Sequence, residues 1–142
     1  MLASVLRCGH LGACYVETKS LASSGDQSTI SSVKWVPPFW ARDLAGTAER
    51  VVDPTGAGNA FMGGLGAALG EGKDIHEGEE LRDEKKSGLW IAVLWGTVAA
   101  SFVIEQNGLP SLKERSDGGE LWNGEDSRER LDLLRARLEA AL

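Results

Sequence analysis

No lysine- and arginine-rich stripe runs through this chain, no apolar run is long enough to be an obvious membrane span, and only two cysteines occur in 142 residues. Each shortage excludes a class of function. The formal net charge is -6 and spreads over both halves, whereas a nucleic-acid or anionic-membrane surface needs clustered positive potential. Any small anionic ligand must therefore find its positive potential locally. Cys8 and Cys14 fall outside C-x-x-C spacing and have no histidine pair nearby, so neither a disulfide framework nor a zinc site is indicated. They read as buried free thiols.

The apolar segment that comes closest to a span is LWIAVLWGTVAASFVI, residues 89–104. Its 16 residues at roughly 1.5 Å each extend about 24 Å, against a hydrocarbon core of about 30 Å. Gly96, Thr97 and Ser101 within it suit close helix packing, so a core helix is expected. The opening MLASVLRCGHLG has no long apolar stretch and no clean small-residue cleavage site, so no secretory signal is indicated. A cytoplasmic protein with no membrane partner is the expectation.

What the chain does have is 42% hydrophobic residues, enough to bury the core of one ordinary domain. SVLRCGHLGACYVE, residues 4–17, places two short apolar segments around G-x-x-G and predicts a hairpin. The polar stretch 18–32 predicts a surface loop. KWVPPFW carries two prolines that cannot donate to a ladder, which suits an extended edge segment whose Trp35, Phe39 and Trp40 cover an apolar surface. ERVVD reads as a short strand. NAFMGGLGAALGEG then shows near-helical spacing and ends in Gly70 and Gly72, which suit a C-cap.

The charged stretch 73–88 predicts a solvated connection, and His76 within it, like His10 in the hairpin turn, reads as a surface histidine. EQNGLPS after the apolar helix is a turn signal, followed by a polar stretch to residue 126. The tail SRERLDLLRARLEAAL predicts an amphipathic helix with leucines at 131, 134, 138 and 142. No internal repeat is visible.

The chemistry concentrates in residues 51–66, VVDPTGAGNAFMGGLG. A strand ending in an acid, a glycine turn and a helix start gather unpaired backbone N–H groups with the positive end of the helix dipole behind them, a setting that binds anions. The turn lacks the G-K-[ST] of a Walker A loop and the spacing of a dinucleotide G-x-G-x-x-G. A glycine turn that merely lets a helix pack tightly on a sheet is the competing reading. Gly56 and Gly58 are the positions where positive φ and a close phosphate approach are expected.

DPTGAGNAFMGG resembles the C-terminal signature of the PfkB, or ribokinase-like, carbohydrate kinase family, commonly D-T-x-G-A-G-D-A-F-x-G-G. The flanking order agrees: LRCGHLGACYV is similar to that family's strand and G-x-x-G turn, and the apolar helix followed by NGLPS resembles its closing helix and cation-binding loop. The likeness covers most of residues 4–112. It implies an α/β chain, the C-terminal nucleotide-binding part of a ribokinase-like layered fold over 1–112, with a polar linker and amphipathic helix over 113–142. The expected sheet joins the hairpin, KWVPPF and ERVVD. It also implies ATP-dependent phosphorylation of a sugar-like hydroxyl.

By that resemblance Gly56, Ala57 and Gly58 form an anion hole for the transferring phosphoryl group, with Thr55 beside it. Gly9, Gly12, Asn107 and Gly108 lie along the nucleotide, and the apolar helix flanks the adenine. Asp53 and Ser111 help hold a monovalent cation. The implied cofactors are ATP, Mg2+ and K+.

Two departures qualify the likeness. Asn59 stands where the family carries the aspartate that takes the acceptor's proton, and a carboxamide has no useful basicity near neutral pH. Losing a general base costs about 10²- to 10⁴-fold in rate. A kinase impaired at this step is the reading, with a non-catalytic nucleotide-binding relative as the alternative. A similar V-V-D-P-T-G-x-G-N run is associated with the fungal branch related to maintenance-of-killer proteins. The second departure is length: a complete domain of this type is about twice as long, and its sugar-contacting half precedes the segments matched here. An exposed sheet edge covered by a partner or a second copy follows from that expectation.

Overall fold

The computed structural model describes residues 2–19, 29–30, 32–41, 48–71 and 88–141. Strand β1, Leu2–Arg7, and strand β2, Ala13–Lys19, form an antiparallel hairpin with Leu6 opposite Cys14 and Arg7 opposite Ala13. The expected hairpin is present. Its connection is a 3-10 turn over Gly9–Leu11 closed by the Cys8 N–H donating to the Gly12 carbonyl at 2.8 Å. Gly12 takes φ +102°, and a Cβ there would collide with the Val36 carbonyl and Pro37. Only glycine fits.

The stretch expected as a loop at 18–32 begins inside β2 and ends in β3, Thr29–Ile30, which pairs with Lys19 and Thr18. Residues 20–28 lie outside the described residues. β4, Lys34–Val36, adds to β2 with Val36 opposite Ala13, so KWV is extended as its prolines suggested. Alternate residues Ala13, Tyr15 and Glu17 of β2 are buried, the period-2 signature of a strand with one face on a core. Val36 and Phe39 are buried beside them, whereas Trp35 is 48% exposed. Trp35 therefore does not cover the core.

ERVVD is not a strand. Ala48–Arg50 is a 3-10 turn, and the N–H groups of Val52 and Asp53 both donate to the single carbonyl of Ile104, at 2.8 and 3.2 Å. Two donors converging on one acceptor cannot make a ladder.

Helix α1, Ala57–Glu71, buries Phe61 and Leu65 on one face, and Gly70 lies inside it rather than capping it. Gly72, His76 and the rest of 72–87 fall outside the described residues. Helix α2, Gly88–Val103, is buried along most of its length, including Leu89, Ala92, Val93, Leu94 and Val98. That is the expected core helix. It approaches α1 closely because both carry glycine at the crossing. A Cβ on Gly96 would lie 2.9 Å from the Phe61 carbonyl oxygen, and one on Gly64 would lie 2.7 Å from that of Trp95. No helix among the described residues is long and apolar enough to cross a membrane.

The stretch 112–126, expected as polar linker, is an antiparallel meander of β5 (Leu112–Glu114), β6 (Glu120–Trp122) and β7 (Glu125–Asp126). Its second turn is Asn123-Gly124, both at positive φ (51° and 83°), the requirement of a two-residue hairpin loop of type I′. Helix α3, Ser127–Ala140, follows at once, capped by Asp126, whose Oδ1 accepts from the Arg128 N–H at 2.7 Å. Leu131 and Leu134 enter the same core cluster as Val36, Phe39, Phe61 and Leu94, with Leu138 packed against it. Leu142 lies outside the described residues. The chain is of mixed α/β class, its helices joined by antiparallel sheets.

Candidate functional site

The sequence DPTG forms its own turn. The Thr55 N–H donates to Asp53 Oδ1 at 2.9 Å and the Ala57 N–H to the Pro54 carbonyl at 3.2 Å, so proline and aspartate fold the backbone around Gly56 before the helix begins. Gly56 sits at φ +82°. The first helical bond is Ala60 N–H to the Gly56 carbonyl at 3.0 Å. The N–H groups of Gly56, Gly58 and Asn59 find no acceptor among the described residues. Free donors at the start of a 15-residue helix make a region of positive potential.

Thr55, Gly56 and Asn59 are exposed, while Ala57 and Gly58 are half-buried. Gly58 has no positive φ, contrary to the expectation for both glycines. Its bare Cα serves a different purpose: the Arg7 guanidinium of β1 occupies the space a Cβ would fill. Arg7 forms no ion pair among the described residues. Sequence reasoning passed over this arginine. Its position at the strand end, just before G-x-x-G, was the available signal.

The third segment to arrive is the end of α2. A Cβ on Gly56 would lie 3.4 Å from Val103 Cγ1, and Ile104 holds the Val52 and Asp53 N–H groups as described. Hairpin end, glycine turn and α2 terminus therefore meet.

Asp53 accepts from the Thr55 backbone and from its side chain, and these bonds, the backbone one first, lower its pKa below the ordinary carboxylate value. It is a carboxylate at neutral pH. Ser111 donates its N–H to Asn123 Oδ1 at 2.9 Å and its carbonyl accepts from the Asn123 N–H at 2.8 Å, so its backbone is already committed to the meander. Its hydroxyl remains. Among the described residues no three His, Cys, Asp or Glu side chains gather around a metal position. A cation here would depend on Asp53 and uncommitted loop oxygens; Ser111 would contribute its hydroxyl alone.

Gly9 (φ +58°) and Gly108 (φ +89°) are exposed with nothing within 4 Å of a Cβ position. Asn107 is also exposed. Gly12, by contrast, is covered by Val36 and Pro37, so its missing side chain makes room for the chain itself.

Beside the glycine turn runs a groove of about 660 Å³, walled by Gly64 and Ala67 of α1, Trp95, Ala99 and Phe102 of α2, and Trp122 of β6. It begins at Ala60 and Val103, which adjoin the turn. Its volume lies within the usual range of small-molecule sites.

Two further residues fix the loop that follows α2. The Asn123 Nδ2 group donates to Phe102 O, Glu105 Oε2 and Gln106 Oε1 at 2.9, 3.0 and 2.7 Å. Arg130 is buried, paired with Glu105 at 2.7 Å and Glu125 at 2.8 Å, bonded to Ser101 Oγ at 2.9 Å and stacked 3.8 Å from the Phe102 ring centroid. Neither was singled out from sequence, because a lone arginine in a charged helix looks solvated.

No protein-family model matches the chain, and no solved structure does. It is similar to an uncharacterized protein of Schizosaccharomyces pombe, 43% identical over 121 residues, which are 85% of this chain and 28% of that protein. It is also similar to Protein MAK32 of Saccharomyces cerevisiae, 29% identical over 120 residues, 84% of this chain and 25% of that protein. The chain spans about a quarter of the length of these curated relatives. The second likeness points toward the fungal maintenance-of-killer proteins, the branch that the V-V-D-P-T-G-x-G-N run resembles.

Proposed function

We propose that this chain is the nucleotide-binding part of a ribokinase-like carbohydrate kinase of the PfkB type, with phosphoryl transfer impaired by Asn59. The observation that carries the reading is Arg7 lying against Gly58 at the start of α1. A guanidinium beside the positive end of a helix is electrostatically unfavourable by itself. An anion between the arginine and the free N–H groups of Gly56, Gly58 and Asn59 turns that repulsion into joint binding. The adjoining groove, lined in part by Trp95 and Trp122, has room for a planar base.

In this reading the terminal phosphates of ATP lie on the turn, carried with Mg2+, and developing negative charge on the transferring group is met by donors already in place. Asn59, exposed at the first turn of α1, replaces a carboxylate and so leaves the phosphate site less negative while supplying no base. Nucleotide binding persists where transfer is slow. A non-catalytic nucleotide-binding role is the second reading, favoured by the same asparagine. The acceptor, a sugar-like hydroxyl in the resembled family, would be bound largely by residues beyond the span described.

Calorimetry of the chain with ATP and Mg2+, with and without K+, tests the proposal. Measurable heat and a thermal shift are expected, together with a loss of roughly 10-fold in affinity for Arg7→Ala, the size of one charge-assisted contact. No heat and no shift from a folded sample would sink it.

A further inference from the structure

We propose that Cys8 and Cys14 form a reversible thiol–disulfide site across the end of the first hairpin. They are the chain's only cysteines, and the fold brings them together. Leu6 is opposite Cys14, and the Cys8 N–H bonds to the Gly12 carbonyl. Cys8 is therefore opposite Gly12, and side chains two positions apart on a strand share a face. Cys8 and Cys14 are diagonal neighbours on that face.

Diagonal pairs lie about 7–8 Å apart at Cα, slightly beyond the usual disulfide span of about 4.4–6.8 Å. The adjustment falls on Cys8, which at φ −115°, ψ 29° has already left the extended region. The turn it opens carries Gly9, with nothing within 4 Å of its Cβ position. The two sulfurs already sense each other. Cys8 is pushed above the ordinary thiol value, first by burial and then by the neighbouring Cys14 sulfur. The sequence suggested buried thiols, but both residues are half-buried and so remain open to a small oxidant.

The oxidant class is a low-molecular-weight disulfide such as oxidised glutathione. The Cys14 thiolate attacks one of its sulfurs, forming a mixed disulfide and expelling one glutathione thiolate. Cys8 then gives its proton to solvent and attacks the Cys14 sulfur, expelling the second. Two thiols lose two protons and two electrons, which reduce one glutathione disulfide to two glutathiones. The bridge does not depend on whether the adjoining turn binds a nucleotide.

Incubating the folded chain with oxidised glutathione, then alkylating and weighing it intact, tests the site. The expected product is a monomer lighter by two hydrogens, with no alkylatable thiol and no glutathione, restored by dithiothreitol. Cys8→Ser and Cys14→Ser should each instead retain one glutathione. A parent that keeps both thiols, carries two glutathiones, or links only between molecules would overturn the proposal.

Discussion

Asp53 ties the local sequence to the shape of the candidate site, because its carboxylate accepts from Thr55 and so sets the turn that presents Gly56. These bonds, with the Thr55 backbone N–H the larger influence, place its folded-state pKa below the ordinary carboxylate value. The stability that results is complete above the unfolded pKa, near 4, and is lost as pH falls through the lowered folded-state value. Asp117 is lowered likewise, first by its bond from the Gly119 N–H. Thermal melts of the parent and Asp53→Asn between neutral and strongly acidic pH should therefore differ at neutrality and converge in acid; a constant gap would contradict the assignment. The two glycines of the turn are separable in the same way. Gly56 occupies the left-handed region, so Gly56→Ala should cost roughly 1–2 kcal/mol. Gly58 is helical, and alanine there meets the far end of a flexible arginine. Gly58→Ala should keep or raise stability by roughly 0.5–1 kcal/mol while displacing Arg7 and weakening ATP binding. Urea unfolding and calorimetry on both variants check this, and equal destabilisation by the two would mean that the Arg7 guanidinium is fixed above Gly58 and does not yield to a Cβ.

Elements were legible from sequence where one residue pattern decides them. The hairpin around G-x-x-G and the long apolar helix were readable because their signals are local: β-formers flanking a turn, and a continuous run too long for a strand. ERVVD was not readable, because whether Val52 and Asp53 join a ladder depends on what faces them, and here both donate to Ile104. The meander was missed because strands of two or three residues show no period, although Trp122-Asn123-Gly124-Glu125 held the two-residue turn signal. The site was partly legible in the same sense. Glycines that announce a turn were visible, while Arg7, Asn123 and Arg130 act through partners distant in sequence. Arg130 joins α3 to the end of α2 through Glu105 and Ser101. Removing one partner of a buried pair leaves the others uncompensated, so Arg130→Ala should destabilise by about 3–5 kcal/mol. Asn123→Ala, which leaves the Ser111 N–H and several carbonyl-type oxygens without their partner, should cost about 1–3 kcal/mol. Urea midpoints within error of the parent for both would show that the loop after α2 is not held by this network.

At the scale of the whole molecule, under the proposed function free N–H donors stand beside an amide where the resembled family carries a base. The chain's span of about a quarter of its relatives makes transfer to an acceptor a property to be sought in a longer version that also carries an N-terminal half of the resembled fold. In that setting, on the proposed reading, Asn59→Asp should raise phosphoryl transfer by roughly 10²-fold or more, since it returns a proton acceptor beside the free N–H groups of the turn. The substitution is structurally mild: Asn59 is exposed in the first turn of α1, where a negative charge interacts favourably with the helix dipole by about 0.3–1 kcal/mol. Nucleotide affinity should fall somewhat, because the new carboxylate faces the same anion. ATP turnover with a panel of sugars and nucleosides, parent and variant side by side at matched folding and nucleotide saturation, decides between the readings. A parent that turns over rapidly would show that Asn59 is no handicap and that water or another group takes the proton. A variant that binds ATP yet stays inert on every acceptor would mean that more than the base is missing, and the nucleotide-binding role without transfer would then stand in place of the kinase.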